Sequence, residues 1–212
     1  AWALDQLSTV KDSGAAAARR FLVLNEPRRE LRATALQQMM GDDNPASRDV
    51  AAAALRDPDG PVRAAAMRTL FALDTTGAAK AASGVYATDP SNAVRQAALT
   101  VLARVRGPDA LDLLIAGVAP GQPLGLRFTA LPFLAGIHDP KAQGAIERLT
   151  DPSEDRNLRT SALQALLADG TFGAGAHTVD FSPPAWGARP GIYLGVLETS
   201  GRTLVRRFTV LQ

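Results

Sequence analysis

The sequence predicts a mainly α protein: an α-solenoid of about five to six helical hairpins with a small C-terminal antiparallel β appendage. Three observations carry this reading. Arg32, Arg63, Arg95, Arg127 and Arg159 recur at spacings of 31, 32, 32 and 32 residues, a period that marks a stacked repeat. Alanine and large apolar residues keep fixed offsets from each of these arginines. After residue 169 the pattern changes to alternation with period two, rich in β-branched and aromatic residues. The domain division expected is therefore 1–169 for the repeats and 170–212 for a Gly/Pro-rich linker and β tail.

The offsets define the inner helix of each hairpin. Three residues after each arginine comes alanine (Ala35, Ala66, Ala98, Ala130, Ala162), and the next residue is large and apolar (Leu36, Met67, Leu99, Leu131, Leu163). Seven after it comes another large apolar residue (Met39, Leu70, Leu102, Leu134, Leu166). Offsets of three, four and seven fall on one helical stripe, and the small alanine lets a neighbouring helix approach closely. Before four of these helices an acid precedes proline: Glu26-Pro27, Asp57-Pro58, Asp89-Pro90 and Asp151-Pro152. Proline cannot continue a preceding helix and drives the residue before it out of the α region, so each pair predicts a turn. Asp59, Ser91 and Ser153 stand two residues after the acid and are expected to cap the helix that follows. Alanine-rich segments near 46–56, 77–87, 108–118 and 140–149 supply the outer helices.

The segments Asp57-Pro58-Asp59-Gly60-Pro61-Val62-Arg63-Ala64-Ala65-Ala66 and Asp89-Pro90-Ser91-Asn92-Ala93-Val94-Arg95-Gln96-Ala97-Ala98 resemble the HEAT repeat family, in its short bacterial form. The resemblance covers about residues 1–169. It implies that Asp57, Asp89, Arg63 and Arg95 are structural and bond between neighbouring repeats, and by register it extends to Arg32, Arg127, Arg159 and Asp151. Two copies depart: Gly121-Gln122-Pro123 stands where the fourth turn should have its acid, and two extra residues separate Asp151 from Arg159. Those two turns are expected to differ in shape. One period further back, Ala3, Leu4 and Leu7 fall on inner-helix positions, so the chain is expected to start inside a helix. Trp2, Leu4 and Leu7 then form an apolar end that a partner protein or an upstream domain is expected to cover, since a solenoid end needs a polar cap.

In the tail, strands are expected near 177–182, 191–198 and 203–211, with Thr199-Ser200-Gly201-Arg202 turning the last two into a hairpin. His177-Thr178-Val179, Trp186-Gly187, Gly191-Ile192-Tyr193-Leu194, Leu197-Glu198, Gly201-Arg202-Thr203 and Arg206-Arg207-Phe208-Thr209-Val210-Leu211 resemble the second half of a type IX secretion sorting domain. That resemblance implies a secreted or outer-surface bacterial protein. The other reading of the same alternation is a β cap closing the solenoid, with a cytoplasmic location then open.

Composition excludes several chemistries. The 212 residues include 40 alanines and no cysteine, which removes disulfides, Cys-ligated metals and a thiol nucleophile. No apolar run is long enough to span a membrane. Lys plus Arg total 23 against 21 Asp plus Glu, a net charge of +2, so the balance argues against a nucleic-acid groove although some HEAT-like glycosylases have one. His138, in Gly136-Ile137-His138-Asp139-Pro140, reads as a turn residue, and the acidic pair Asp42-Asp43 as a helix terminus and turn. Arg19-Arg20 and the other arginine pairs read as solvated helix faces. No cofactor, metal or catalytic constellation is expected in these residues.

Function is therefore expected to be noncatalytic: a protein-interaction scaffold or subunit. A second reading rests on Gly117-Val118-Ala119-Pro120-Gly121-Gln122-Pro123 with Leu111-Asp112-Leu113-Leu114 and Leu126-Arg127. These residues resemble the HEAT-type tails of bacterial gluzincin metalloaminopeptidases, which implies an accessory domain whose catalytic part lies upstream. A HEAT-type bilin lyase is a third, weaker alternative, since no acid–base cluster accompanies it.

Overall fold

The computed structural model describes residues 13–42, 44–169, 191–199 and 202–210, with backbone alone for 167–169 and the two tail segments. Trp2, Leu4 and Leu7, the strand expected near 177–182 and His177 lie outside the described residues. The described helices are α1 (Ser13–Asn25), α2 (Arg29–Gln38), α3 (Pro45–Ala53), α4 (Gly60–Leu73), α5 (Thr75–Thr88), α6 (Asn92–Arg106), α7 (Leu111–Val118), α8 (Leu124–Ala135), α9 (Pro140–Arg148) and α10 (Arg156–Asp169). Short 3₁₀ turns follow α2 and α3 and precede α7. Contacts divide the chain into two compact units, Ala1–Ala145 and Ile146–Gln212.

In the first unit the helices pair as successive antiparallel hairpins, α1 with α2, α3 with α4, α5 with α6 and α7 with α8. The second members also stack on each other in chain order, α2 on α4, α4 on α6 and α6 on α8. This makes a continuous inner layer, and the first members form an outer layer over it. The stacking follows from the stripe. Ala35, Ala66, Ala98 and Ala130 are each fully buried, as are Leu36, Met67 and Leu99 at the next position. Met39, Leu70, Leu102 and Leu134 close the stripe one turn later. Val62, Val94 and Leu126, each the residue just before a repeat arginine, are equally buried, so the apolar face is wider than the three offsets indicate. Burying a large aliphatic side chain of this kind contributes about 1.5–3 kcal/mol, and such residues recur in every hairpin.

One polar group crosses the inner layer. The Thr69 hydroxyl, fully buried in α4, donates to the Leu36 carbonyl of α2 at 2.8 Å. A buried hydroxyl needs a partner, and the neighbouring helix supplies it. The outer helices are less evenly covered. On α1, Phe21 and Leu24 are 63% and 61% exposed, and they lie three residues apart on one face.

The expected caps need correction. Asp59 and Ser91 do occupy the N-cap positions of α4 and α6, but neither side chain caps its helix. The acid two residues earlier takes over: Asp57 accepts from the Asp59 N–H at 2.9 Å and Asp89 from the Ser91 N–H at 2.8 Å. This closes the turn itself and leaves the Asp59 carboxylate free to meet Arg32. The outer helices α3 and α5 carry ordinary caps, with Asn44 accepting from the Ser47 N–H and Asp74 from the Gly77 N–H.

In the second unit α10 starts at Arg156, and its cap is Asp155, which accepts from the N–H groups of Asn157 and Leu158 at 2.9 and 3.0 Å. Ser153 is not the cap. It donates its N–H and hydroxyl to Asp151 inside the turn. The two extra residues before Arg159 shift the helix start by that amount. Leu158 and Ala162 are buried, whereas Leu163 is only half-buried. The segments β1 (Gly191–Thr199) and β2 (Arg202–Val210) pair antiparallel, with Val196 opposite Val205 and Tyr193 opposite Phe208.

Two glycines in α5 give opposite expectations. A Cβ on Gly84 would meet nothing within 4 Å, whereas one on Gly77 would collide with the capping carboxylate of Asp74. Gly84→Ala is expected to raise stability by about 0.5–1 kcal/mol through reduced backbone entropy in the unfolded chain. Gly77→Ala is expected to show no gain, because losing the cap costs about 1 kcal/mol. Urea midpoints of the two variants check both.

Candidate functional site

The chemistry-bearing residues of this chain gather along the edge formed by the turns inside each hairpin. Arg32, in the first turn of α2, donates from Nη1 to the carbonyls of Glu26 and Pro27 in its own turn, at 3.0 and 2.9 Å. Its Nε and Nη2 reach forward to the two oxygens of Asp57 in the next turn, both at 2.9 Å, and Nη2 also meets Asp59 at 2.8 Å. Arg63 repeats the arrangement. Its Nη1 donates to the Asp57 and Pro58 carbonyls, both at 2.9 Å, while Nε and Nη2 meet Asp89 at 2.8 and 2.9 Å. Each guanidinium thus clamps its own turn and fastens the next one. The planar fork suits this task because a carboxylate can take two parallel bonds from it.

Electrostatics follow the geometry. The hydrogen bonds they donate to Asp57 and Asp89 hold the Arg32 and Arg63 guanidinium groups above their ordinary range, against the opposing pull of burial. The Arg63 bond, helped by the Ser91 N–H, holds the Asp89 carboxyl below its ordinary value of 3.8. Outside the chain of clamps, half-buried Glu26 accepts from exposed Arg28 within its own turn at 2.7 Å.

The third clamp differs. Arg95 donates from Nε to the Tyr86 carbonyl and from Nη2 to Gln122 Oε1, both at 3.3 Å, and its guanidinium carbon lies 5.8 Å from the Tyr86 ring centre. It therefore reaches the next turn, but meets a neutral amide there. Burial raises the Tyr86 phenol above its ordinary value, with the Arg95 charge opposing. Arg127, buried in α8, donates to the Val118 carbonyl at 2.9 Å. In the second unit Arg159 donates to the Pro152 carbonyl at 3.2 Å, and Ser153 holds the Asp151 carboxyl below its ordinary range. All five repeat arginines therefore bond to a carbonyl of the preceding turn or of the helix end that leads into it.

The opposite edge pairs Arg19, which the sequence places on a solvated helix face, with Asp42, which it places at a helix terminus and turn. Arg19 is 4% exposed, and its Nη2 donates to Asp42 at 2.6 Å. Asp42 also accepts from the Ser47 hydroxyl, which is fully buried, and Arg20 reaches the same hydroxyl at 3.4 Å. So Arg19 and Asp42 fasten α1 to the start of α3. The two residues are 23 apart and have no counterpart in later copies, so no periodic signal marks them. His138 is exposed in the loop before α9.

An open groove of about 580 Å³ runs between the outer helices α3 and α5, floored by Ala52, Ala53, Ala81 and Gly84 and flanked by Asp49 and Arg56. Among the described residues there is no group of three or more His, Cys, Asp or Glu placed to hold a metal ion. No helix of the described residues is long and apolar enough to cross a membrane.

Residues 85–167 match the family model for HEAT repeats. The chain contains HEAT-like helical repeats. The match begins at the end of α5 and runs into α10, so it includes the departing turn at Gly121-Gln122-Pro123. The clamps at Arg32 and Arg63 lie upstream of it and share its register. No curated protein matches the chain.

The Asp89 clamp has a defined pH signature. Its folded-state pKa lies below the unfolded value, so its contribution is complete above about pH 5 and is lost as pH falls through the unfolded and then the folded value. Asp89→Asn is expected to cost about 1–3 kcal/mol at pH 7. The difference between wild type and variant should shrink as pH is lowered below 4, which urea unfolding at a series of pH values measures.

Proposed function

We propose that this protein is a noncatalytic scaffold that binds another protein along its stacked hairpins. The observation that supports this reading is how the charged residues inside the fold are spent. Arg19, Arg32, Arg63 and Arg127, with Asp42, Asp57 and Asp89, bond to turns and neighbouring helices. Their bonds hold successive turns and helices together, so these charges serve the stacking of the repeats. The HEAT match agrees, since stacked helical repeats present long surfaces suited to protein partners.

The setting we propose is a secreted or cell-surface bacterial protein, a reading that rests on the tail residues Gly191-Ile192-Tyr193-Leu194 and Arg206-Arg207-Phe208. One experiment addresses both parts. The full chain, isolated from cell-surface and medium fractions of its source after mild cross-linking, is expected to carry one protein partner in fixed stoichiometry. Recovery from those fractions with nothing cross-linked above the level of an unrelated secreted protein would remove the scaffold reading. Recovery only from the cytoplasm would remove the proposed setting.

A further inference from the structure

The acid met by each clamp sits six residues before the following repeat arginine: Asp57 before Arg63, and Asp89 before Arg95. Six residues before Arg127 the chain has Gly121. Gly121 has φ +86°, and a Cβ placed on it would meet no atom within 4 Å. The space beside the Gly121 backbone is open. The left-handed backbone also makes an aspartate costly at this position. The residue two further on, whose N–H steadies the carboxylate in those turns, is Pro123, which has no N–H.

Arg95 faces this opening with an under-used fork. The atoms that hold the two carboxylate oxygens in the Arg32 and Arg63 clamps are Nε and Nη2, at 2.8–2.9 Å. In Arg95 those same two atoms make only bonds of 3.3 Å, both to neutral oxygens. Among the described residues no carboxylate pairs with Arg95. A carboxylate offers this edge a full opposite charge and two coplanar oxygens, where the Gln122 amide offers one neutral oxygen, and bidentate Arg–carboxylate pairing is the stronger arrangement. Leu124, two residues on, is 43% exposed and supplies an apolar flank.

We propose that the turn at Gly121-Gln122-Pro123 is a docking point for an acidic side chain of a partner protein, whose carboxylate takes the forked edge of Arg95 that Asp57 and Asp89 fill for the earlier clamps. The carboxylate displaces the Gln122 amide and completes the series of clamps. A carboxylate fits because the neighbouring forks each hold a planar, two-oxygen acceptor. The inference deepens the scaffold reading and rests on it for the source of the carboxylate.

The test uses acetate as probe on the full ¹⁵N-labelled chain, at ionic strength held constant with chloride. The readout is the backbone amide shifts of Gln122 and Leu124. Wild type is expected to show a saturable shift, weakened roughly tenfold in Arg95→Gln, as loss of one charge-assisted pair implies. In Gln122→Glu a carboxylate from the chain itself closes the fork, so the acetate response is lost and the thermal midpoint rises. The amides of Asp89 and Ser91, beside a closed clamp, should not move. Shifts no larger than those at Ser91, an undiminished response in either variant, or tighter binding of inorganic phosphate than of acetate would each overturn the proposal. This titration reads the turn alone, so its failure leaves the scaffold reading to the cross-linking result.

Discussion

The stacking of this fold depends on a guanidinium that has to satisfy its donors with little water at hand. Arg32 and Arg63 are placed where the turn of one hairpin meets the turn of the next, and an unpaired charge there is strongly unfavourable. Each finds two carbonyls behind it and a carboxylate ahead. Meeting both demands at once fixes the distance between successive turns. It also fixes the phase of each inner helix relative to the next. Arg32 and Arg63, 31 residues apart, both meet that constraint, and the carbonyls their forks require are those of the acid and the proline of each turn.

The apolar side obeys the same register. Alanine three residues after the arginine lets inner helices come close, and Leu36, Met67 and Leu99 fill the space beside it. Because each hairpin in the first unit touches its neighbours in the chain, stability is built from local terms, and one interface can change without undoing the others. Arg95 illustrates this. Its interface keeps the buried stripe of Ala98, Leu99 and Leu102 while its polar half exchanges an acid for Gln122. The apolar contacts hold the hairpin in place, and the polar edge there is released from a purely structural task.

How much of this was legible in the sequence depends on whether a feature repeats. The inner helices, their buried stripe and the turns at Asp57-Pro58 and Asp89-Pro90 were legible because five copies at one period reinforce a weak local signal. The caps were not: Asp59 and Ser91 occupy N-cap positions, yet neither side chain bonds to the first turn of its helix, and their own N–H groups go to the earlier acid. Residue preference locates an N-cap, whereas the direction of the side chain, as with Asp59 toward Arg32, decides whether it caps. Ser153 was misplaced for a simpler reason, as a two-residue insertion moves the cap to Asp155. The buried pair of Arg19 and Asp42 occurs once, so nothing periodic announced it. The loss of the fourth acid was visible in Gly121-Gln122-Pro123, yet its consequence for Arg95 emerged only from the lengths of that residue's bonds.

The central claim is that the forward bond from arginine to the next turn's carboxylate couples adjacent hairpins, and that this coupling is weak where the acid is missing. Two double-mutant cycles read it directly, one on Arg63 and Asp89 and one on Arg95 and Gln122, each with alanine replacements and urea unfolding at pH 7 and low salt. The account predicts a coupling of about 1–3 kcal/mol for the first pair and under about 0.5 kcal/mol for the second. Equal couplings, or a first-pair value indistinguishable from zero, would contradict it and leave the alanine-lined apolar stripe as the sole origin of the stacking.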